Sequence, residues 1–117
     1  MANRVFRVCG SNDYGQLGLG DNRKRNTFTE VTASGPLQAV VYGMKHMLIL
    51  LQGGTVHATG NNTRGQLGLD NDSSCTTLAL VQGGLTGKTV VKIGCGGSFS
   101  GALTADGDLC VHTHPLL

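Results

Sequence analysis

One stretch of this chain occurs twice. Gly10-Ser11-Asn12-Asp13-Tyr14-Gly15-Gln16-Leu17-Gly18-Leu19-Gly20-Asp21 returns as Gly60-Asn61-Asn62-Thr63-Arg64-Gly65-Gln66-Leu67-Gly68-Leu69-Asp70-Asn71, an offset of 60 − 10 = 50 residues. A unit of that length cannot bury its apolar face alone and must stack on its neighbours. The period therefore restricts the chain to a repeat architecture before any strand is assigned.

Between and around the two copies lie short apolar runs separated by turn signals. Val5 to Cys9 reads as a leading strand. A first set follows at 28–31, 39–42, 47–51 and 55–59, with turns at Ala33-Ser34-Gly35-Pro36 and Gln52-Gly53-Gly54. A second set lies at 78–81, 89–93, 99–104 and 108–112, with turns at Gly83 to Lys88, Cys95-Gly96-Gly97 and Ala105-Asp106-Gly107. Nineteen glycines in 117 residues oppose long helices, since each interior glycine costs about 1 kcal/mol relative to alanine. Four-stranded antiparallel units at a period of about 50 residues are the sequence form of propeller blades. The expected fold is all-β: two four-stranded antiparallel blades plus a leading strand, a partial β-propeller. The chain reads as a single repeat domain over 1–117, with a first repeat at 5–54, a second at 55–112 and a tail at 113–117.

The motif resembles the repeat of the regulator of chromosome condensation family, a β-propeller of typically about seven blades. Gly10, Asn12, Gly15, Gln16, Leu17, Gly18, Gly20, Asp21 and Arg25 fit the first part of its pattern, and Val41, Gly43, His46 and Gly54 the second. The next copy matches at Gly60, Asn62, Gly65 to Gly68, Val90, Ile93, Cys95, Gly96, Leu103, Asp106 and Gly107. Cys9, Thr59 and His112 stand where the family has Trp, and the chain contains none. A large aromatic buries about 150–250 Å², so thinner blade cores are expected. Gly20 becomes Asp70, Asp21 and Arg25 become Asn71 and Cys75, and the family His, kept as His46, becomes Phe99. Asp21 and Arg25 are expected to pair. Gly15 and Gly18 are expected where the loop presses on a neighbouring blade, with Leu17 and Leu67 plugging gaps between blades.

The resemblance implies protein–protein binding through propeller loops. Some family members exchange nucleotide on small GTPases, some bind chromatin, and one senses light through tryptophans this chain lacks. Exchange activity in the family uses residues of several blades and an inserted wedge, and chromatin binding uses a basic tail; neither insertion nor tail is visible here. The expected function is that of a non-catalytic interaction or structural subunit of a larger assembly. The alternatives are regulation of a small GTPase, and chromatin or nucleic-acid binding.

Other chemistry finds little support in the residues. Gly87-Lys88-Thr89 resembles the end of a phosphate-binding loop, but Gln82 stands where its first glycine belongs and a strand follows. His57, His112 and His114 lack the spacing of a metal site. No nucleophile motif appears, so neither enzyme activity nor a cofactor is expected. The four cysteines form no C-x-x-C pair and read as reduced, mostly buried thiols. A net charge of +2 does not by itself imply a nucleic-acid partner. The longest apolar run, Met47 to Leu51, is far short of the roughly 20 residues of a membrane span, and the first seven residues lack a signal-peptide core. A cytoplasmic or nuclear location is expected.

Two candidate interaction elements follow. Arg23-Lys24-Arg25 is the basic cluster of an exposed loop. The leading strand Val5, Phe6, Arg7, Val8 and Cys9 matches the last strands of later units, so its own blade partners are expected from another chain or a second copy, by strand addition.

Overall fold

The computed structural model describes residues 4–69, 73–82 and 85–112. These form nine strands: β1 (Val5–Gly10), β2 (Arg25–Thr32), β3 (Leu37–Tyr42), β4 (His46–Leu51), β5 (Val56–Gly60), β6 (Cys75–Leu80), β7 (Val90–Cys95), β8 (Ser100–Thr104) and β9 (Leu109–His112). All neighbours run antiparallel, in three sheets ordered β1-β2, β3-β4-β5-β6 and β7-β8-β9. The sheets fan side by side into a body of 44 × 39 × 19 Å, a sector of a propeller.

The all-β partial propeller is thus the architecture, but the strands divide two, four and three rather than one, four and four. The leading strand is not without a partner in its own chain: β1 pairs with β2, Phe6 opposite Val31 and Val8 opposite Thr29. The repeated loop joins two strands of one sheet, β1 to β2 and β5 to β6. A sequence period reports unit length and leaves the phase of the blade open, because strand pairing is decided by contacts across the loop. The Asp70-Asn71 drift, the Gly83-Gly84 part of the second turn, residues 1–3 and the tail 113–117 lie outside the described residues.

The central sheet holds most of the core. All six residues of β4 are buried, and each fully buried Leu or Ile is worth about 1.5–3 kcal/mol. Strand alternation sends its side chains two ways. Ile49 and Leu51 pack with Ala33 and Phe6 of the first sheet side. Leu48 and Leu50 pack with Val56, Ala58, Val90 and Ala102 toward the third.

The repeated loop latches each sheet to the next. Buried Asn12 organises it: Oδ1 accepts from Leu17 N at 3.0 Å, and Nδ2 donates to the carbonyls of Asp21 and Arg23, each at 3.0 Å. Asn62 does the same in the second copy, accepting from Leu67 N and donating to Ser73 O, each at 3.1 Å. Leu17 and Leu67 are thereby driven into the apolar clusters. Gly15 has φ +77°, and a Cβ there would lie 2.7 Å from Thr76 Cα of β6. Gly20 N donates to Thr76 O at 2.8 Å. The loop closes one sheet and grips its neighbour, as expected of Gly15 and Leu17.

Thr59, at a family Trp position, supplies a polar clamp instead of an aromatic. It is fully buried, and its hydroxyl lies 2.7 Å from Gly15 O and 2.9 Å from Cys75 O, donating to either. Between the second and third sheets, Ser100 donates to Gln66 O, which commits its only proton. His46 Nε2, 2.9 Å from Ser100 Oγ, must then carry a proton and donate, while Nδ1 has no partner among the described residues. Burial holds the His46 pKa below its ordinary value, which favours the neutral ring with its proton on Nε2.

Candidate interaction surface

The expected interaction loop is partly consumed by the fold. Arg25 makes a bidentate pair with Asp21, Nη2 to Oδ2 at 2.9 Å and Nη1 to Oδ1 at 3.1 Å. That guanidinium holds the Asp21 carboxyl well below the usual carboxylate range. Only 20% of the Arg25 side chain is exposed, against 83% for Arg23. Arg25 therefore buttresses the loop, and Arg23 and Lys24 are left to face solvent.

The leading strand is similarly divided. Val8 is buried and Phe6 half-buried against the central sheet, while Val5, Arg7 and Cys9 are exposed. Arg7 caps the exposed Phe28 ring of β2, 6.0 Å from its centroid.

Lys88, of the stretch resembling a phosphate loop, bridges Asp106 at 2.7 Å and Asp108 at 3.0 Å, and β7 begins two residues later. His57 and His112 stand in different sheets, and His114 lies outside the described residues. The cysteines among the described residues are free thiols but not mostly buried, Cys9 being exposed and Cys75, Cys95 and Cys110 half-buried; burial pushes the Cys95 thiol up to about 11. It is a small hydrophobe rather than a nucleophile. No helix among the described residues is long and apolar enough to cross a membrane.

The outer face of the third sheet is an exposed apolar surface. Leu109 is 69% exposed, Val111 54% and Phe99 48%. With Leu103 and Gly101 they line an open groove of about 490 Å³. The corresponding face of the central sheet carries Leu48, Leu50, Val56 and Ala58, all buried under the third sheet. The third sheet thus presents toward solvent the kind of surface that its neighbour covers.

A second, polar groove of about 210 Å³ lies where the β3–β4 turn, the second repeated loop and the β7–β8 turn converge. Met44 N donates to Gly97 O at 3.1 Å and Asn61 N to Lys45 O at 2.9 Å, which ties the three segments together. Met44, Lys45, Asn61, Thr63, Arg64 and Ser98 face into it. Reasoning from sequence missed these residues. Their signal was the difference between copies: Ser11, Asp13 and Tyr14 are replaced by Asn61, Thr63 and Arg64, which removes an acid and adds a base.

Comparison with known proteins matches this architecture. Residues 4–50 and 53–103 fit the Regulator of chromosome condensation (RCC1) repeat. The X-linked retinitis pigmentosa GTPase regulator of Canis lupus familiaris is 35% identical over 109 residues, 92% of this chain and 11% of that protein. The probable E3 ubiquitin-protein ligase HERC4 of Homo sapiens is also 35% identical over 109 residues, 91% of this chain and 10% of that protein. The chain therefore spans about a tenth of these relatives' length. Prp20p from Saccharomyces cerevisiae, whose structure was described with its binding to Gsp1p and histones, superposes with a TM-score of 0.78 at 21% identity, covering 95% of this chain and 28% of that one.

Proposed function

The chain belongs to the regulator of chromosome condensation (RCC1) repeat family, and we propose that it acts as a non-catalytic protein-interaction module, a propeller sector that works joined to further blades or to another chain. The observation that carries this reading is the exposed Leu109–Val111–Phe99 face. Its counterpart in the central sheet is buried by a neighbouring blade, and contiguous apolar surface of this kind marks an interaction site. Further blades of the same polypeptide, a second copy, or a partner would each cover it. A cytoplasmic or nuclear location accompanies this proposal.

Size-exclusion chromatography with light scattering, alongside binding of a hydrophobic dye, tests the reading. Association of the 117-residue chain, or dye binding that a covering blade suppresses, is expected. A monodisperse monomer that binds no dye would overturn it.

A second reading is regulation of a small GTPase. It draws support from the canine relative, which is named as a GTPase regulator, and from the binding of Gsp1p by Prp20p. Acceleration of nucleotide release from a loaded small GTPase favours this reading; an unchanged rate with the chain in excess removes it. Chromatin binding through Arg23 and Lys24 is weakened by the engagement of Arg25 with Asp21.

A further inference from the structure

We infer that the polar groove between the β3–β4 turn, the second repeated loop and the β7–β8 turn binds a carboxylate of an acidic, extended segment in a protein partner. This deepens the interaction-module reading and rests on it.

Asn61 carries the argument. It is only 7% exposed, yet its amide is half used. Oδ1 accepts from Thr63 N at 3.0 Å, from Thr63 Oγ1 at 2.8 Å and from Gln66 Nε2 at 3.0 Å. The backbone N–H of Thr63 can only donate, so the oxygen is fixed on that side and Nδ2 on the other. No acceptor among the described residues reaches Nδ2, and the residue lines the groove. A largely buried amide thus presents its two hydrogens to the open cleft, held in place by the bonds to its oxygen.

The surrounding charge selects the acceptor. Lys45 and Arg64 line the cleft, and no carboxylate does among the described residues. Lys45 Nζ also sits 4.8 Å from the centroid of the Tyr14 ring, which positions the ammonium while leaving its charge intact. An anionic oxygen accepting from Asn61 Nδ2 would enter a cleft lined by two basic residues, and charge-assisted hydrogen bonds are about twice as strong as neutral ones. Met44, 76% exposed at the rim, offers an adaptable apolar contact of the kind found at peptide-binding surfaces. The groove's size suits a side chain. The first repeated loop lacks this arrangement, because Ser11, Asp13 and Tyr14 occupy the equivalent positions.

Fluorescence anisotropy with a fluorescein-labelled peptide of alternating Glu and Ser tests the inference on the whole chain. A Lys/Ser peptide and a short DNA duplex serve as comparisons. The acidic peptide is expected to bind more tightly than both. Asn61→Asp keeps the oxygen that organises the loop but replaces the donor by a carboxylate, and is expected to weaken binding at least tenfold. Arg64→Gln with Lys45→Gln, both on exposed side chains, is expected to weaken it about threefold to tenfold. Arg23→Gln with Lys24→Gln is expected to leave it unchanged.

Equal binding of the two peptides, preference for DNA, wild-type affinity in the Lys45/Arg64 variant, or equal loss in the Arg23/Lys24 variant each overturns the inference. Should Asn61→Asp fail to fold, the Lys45/Arg64 pair decides alone. None of these outcomes alters the light-scattering test, so the interaction-module reading stands or falls separately.

Discussion

Replacing Gly15 by alanine tests the latch at its tightest point. Two costs arise together. At φ +77° the backbone is left-handed, which costs an L-residue about 1–2 kcal/mol. The added methyl would also lie 2.7 Å from Thr76 Cα, 2.8 Å from Thr76 Cγ2 and 3.0 Å from Cys75 O. Two of those atoms are backbone of the paired strand β6, so relief requires the loop to lift from the neighbouring sheet. Overpacking of this kind costs about 1–3 kcal/mol. The expected loss is about 2–5 kcal/mol, a large share of the roughly 5–15 kcal/mol that holds a domain together. Gly107 supplies the control. Its φ is +92°, but a methyl placed there would meet nothing within 4 Å, so Gly107→Ala bears the conformational cost alone. Urea unfolding of both variants, followed by circular dichroism, separates the two contributions. Gly15→Ala should lie about 1–3 kcal/mol below Gly107→Ala, a midpoint difference on the order of 1 M urea. Equal midpoints would show that the loop does not press on β6 and would refute the latch.

Three further outcomes follow from the same geometry. Thr59→Val, which removes the hydroxyl shared by Gly15 O and Cys75 O, should cost about 1–3 kcal/mol in the same unfolding assay, and Thr59→Ser should recover most of it. Burial lowers the pKa of His46, His57 and His112, so below about 6.5 the unfolded chain takes up protons that the folded chain refuses. Stability should therefore be complete above that pH and be lost as the pH falls through it, by at most about 1.4 kcal/mol per pH unit from fully buried His46. Urea midpoints from pH 7.5 to 5.5 read this slope, roughly as linkage requires, and His46→Gln, which keeps a donor for Ser100, should flatten part of it. Leu109→Lys with Val111→Thr, on the exposed face of the third sheet, should reduce association and dye binding while changing the unfolding free energy by less than about 0.5 kcal/mol.

By itself the sequence determined the class of fold and the chemistry of its loops. Recurrence of Gly15-Gln16-Leu17-Gly18 at Gly65 to Gly68 identifies a repeat, because a glycine-bearing turn of fixed form is needed wherever one unit meets the next. Alternating apolar runs mark the strands, and the spacing of Asp21 and Arg25 foretold their pair. These features are local, and local propensity and spacing express them directly. Tertiary structure decided the rest. It set the phase of the sheets, joining β1 to β2 across the loop, because hydrogen-bonded register is a contact between segments and not a property of either one. It took Arg25 out of the exposed basic cluster, leaving only 20% of its side chain in solvent against 83% for Arg23. It left the Asn61 amide N–H groups facing a cleft that Lys45 and Arg64 also line. Asn61 and Arg64 belong to the second repeated loop and Lys45 to the β3–β4 turn, which only packing brings together.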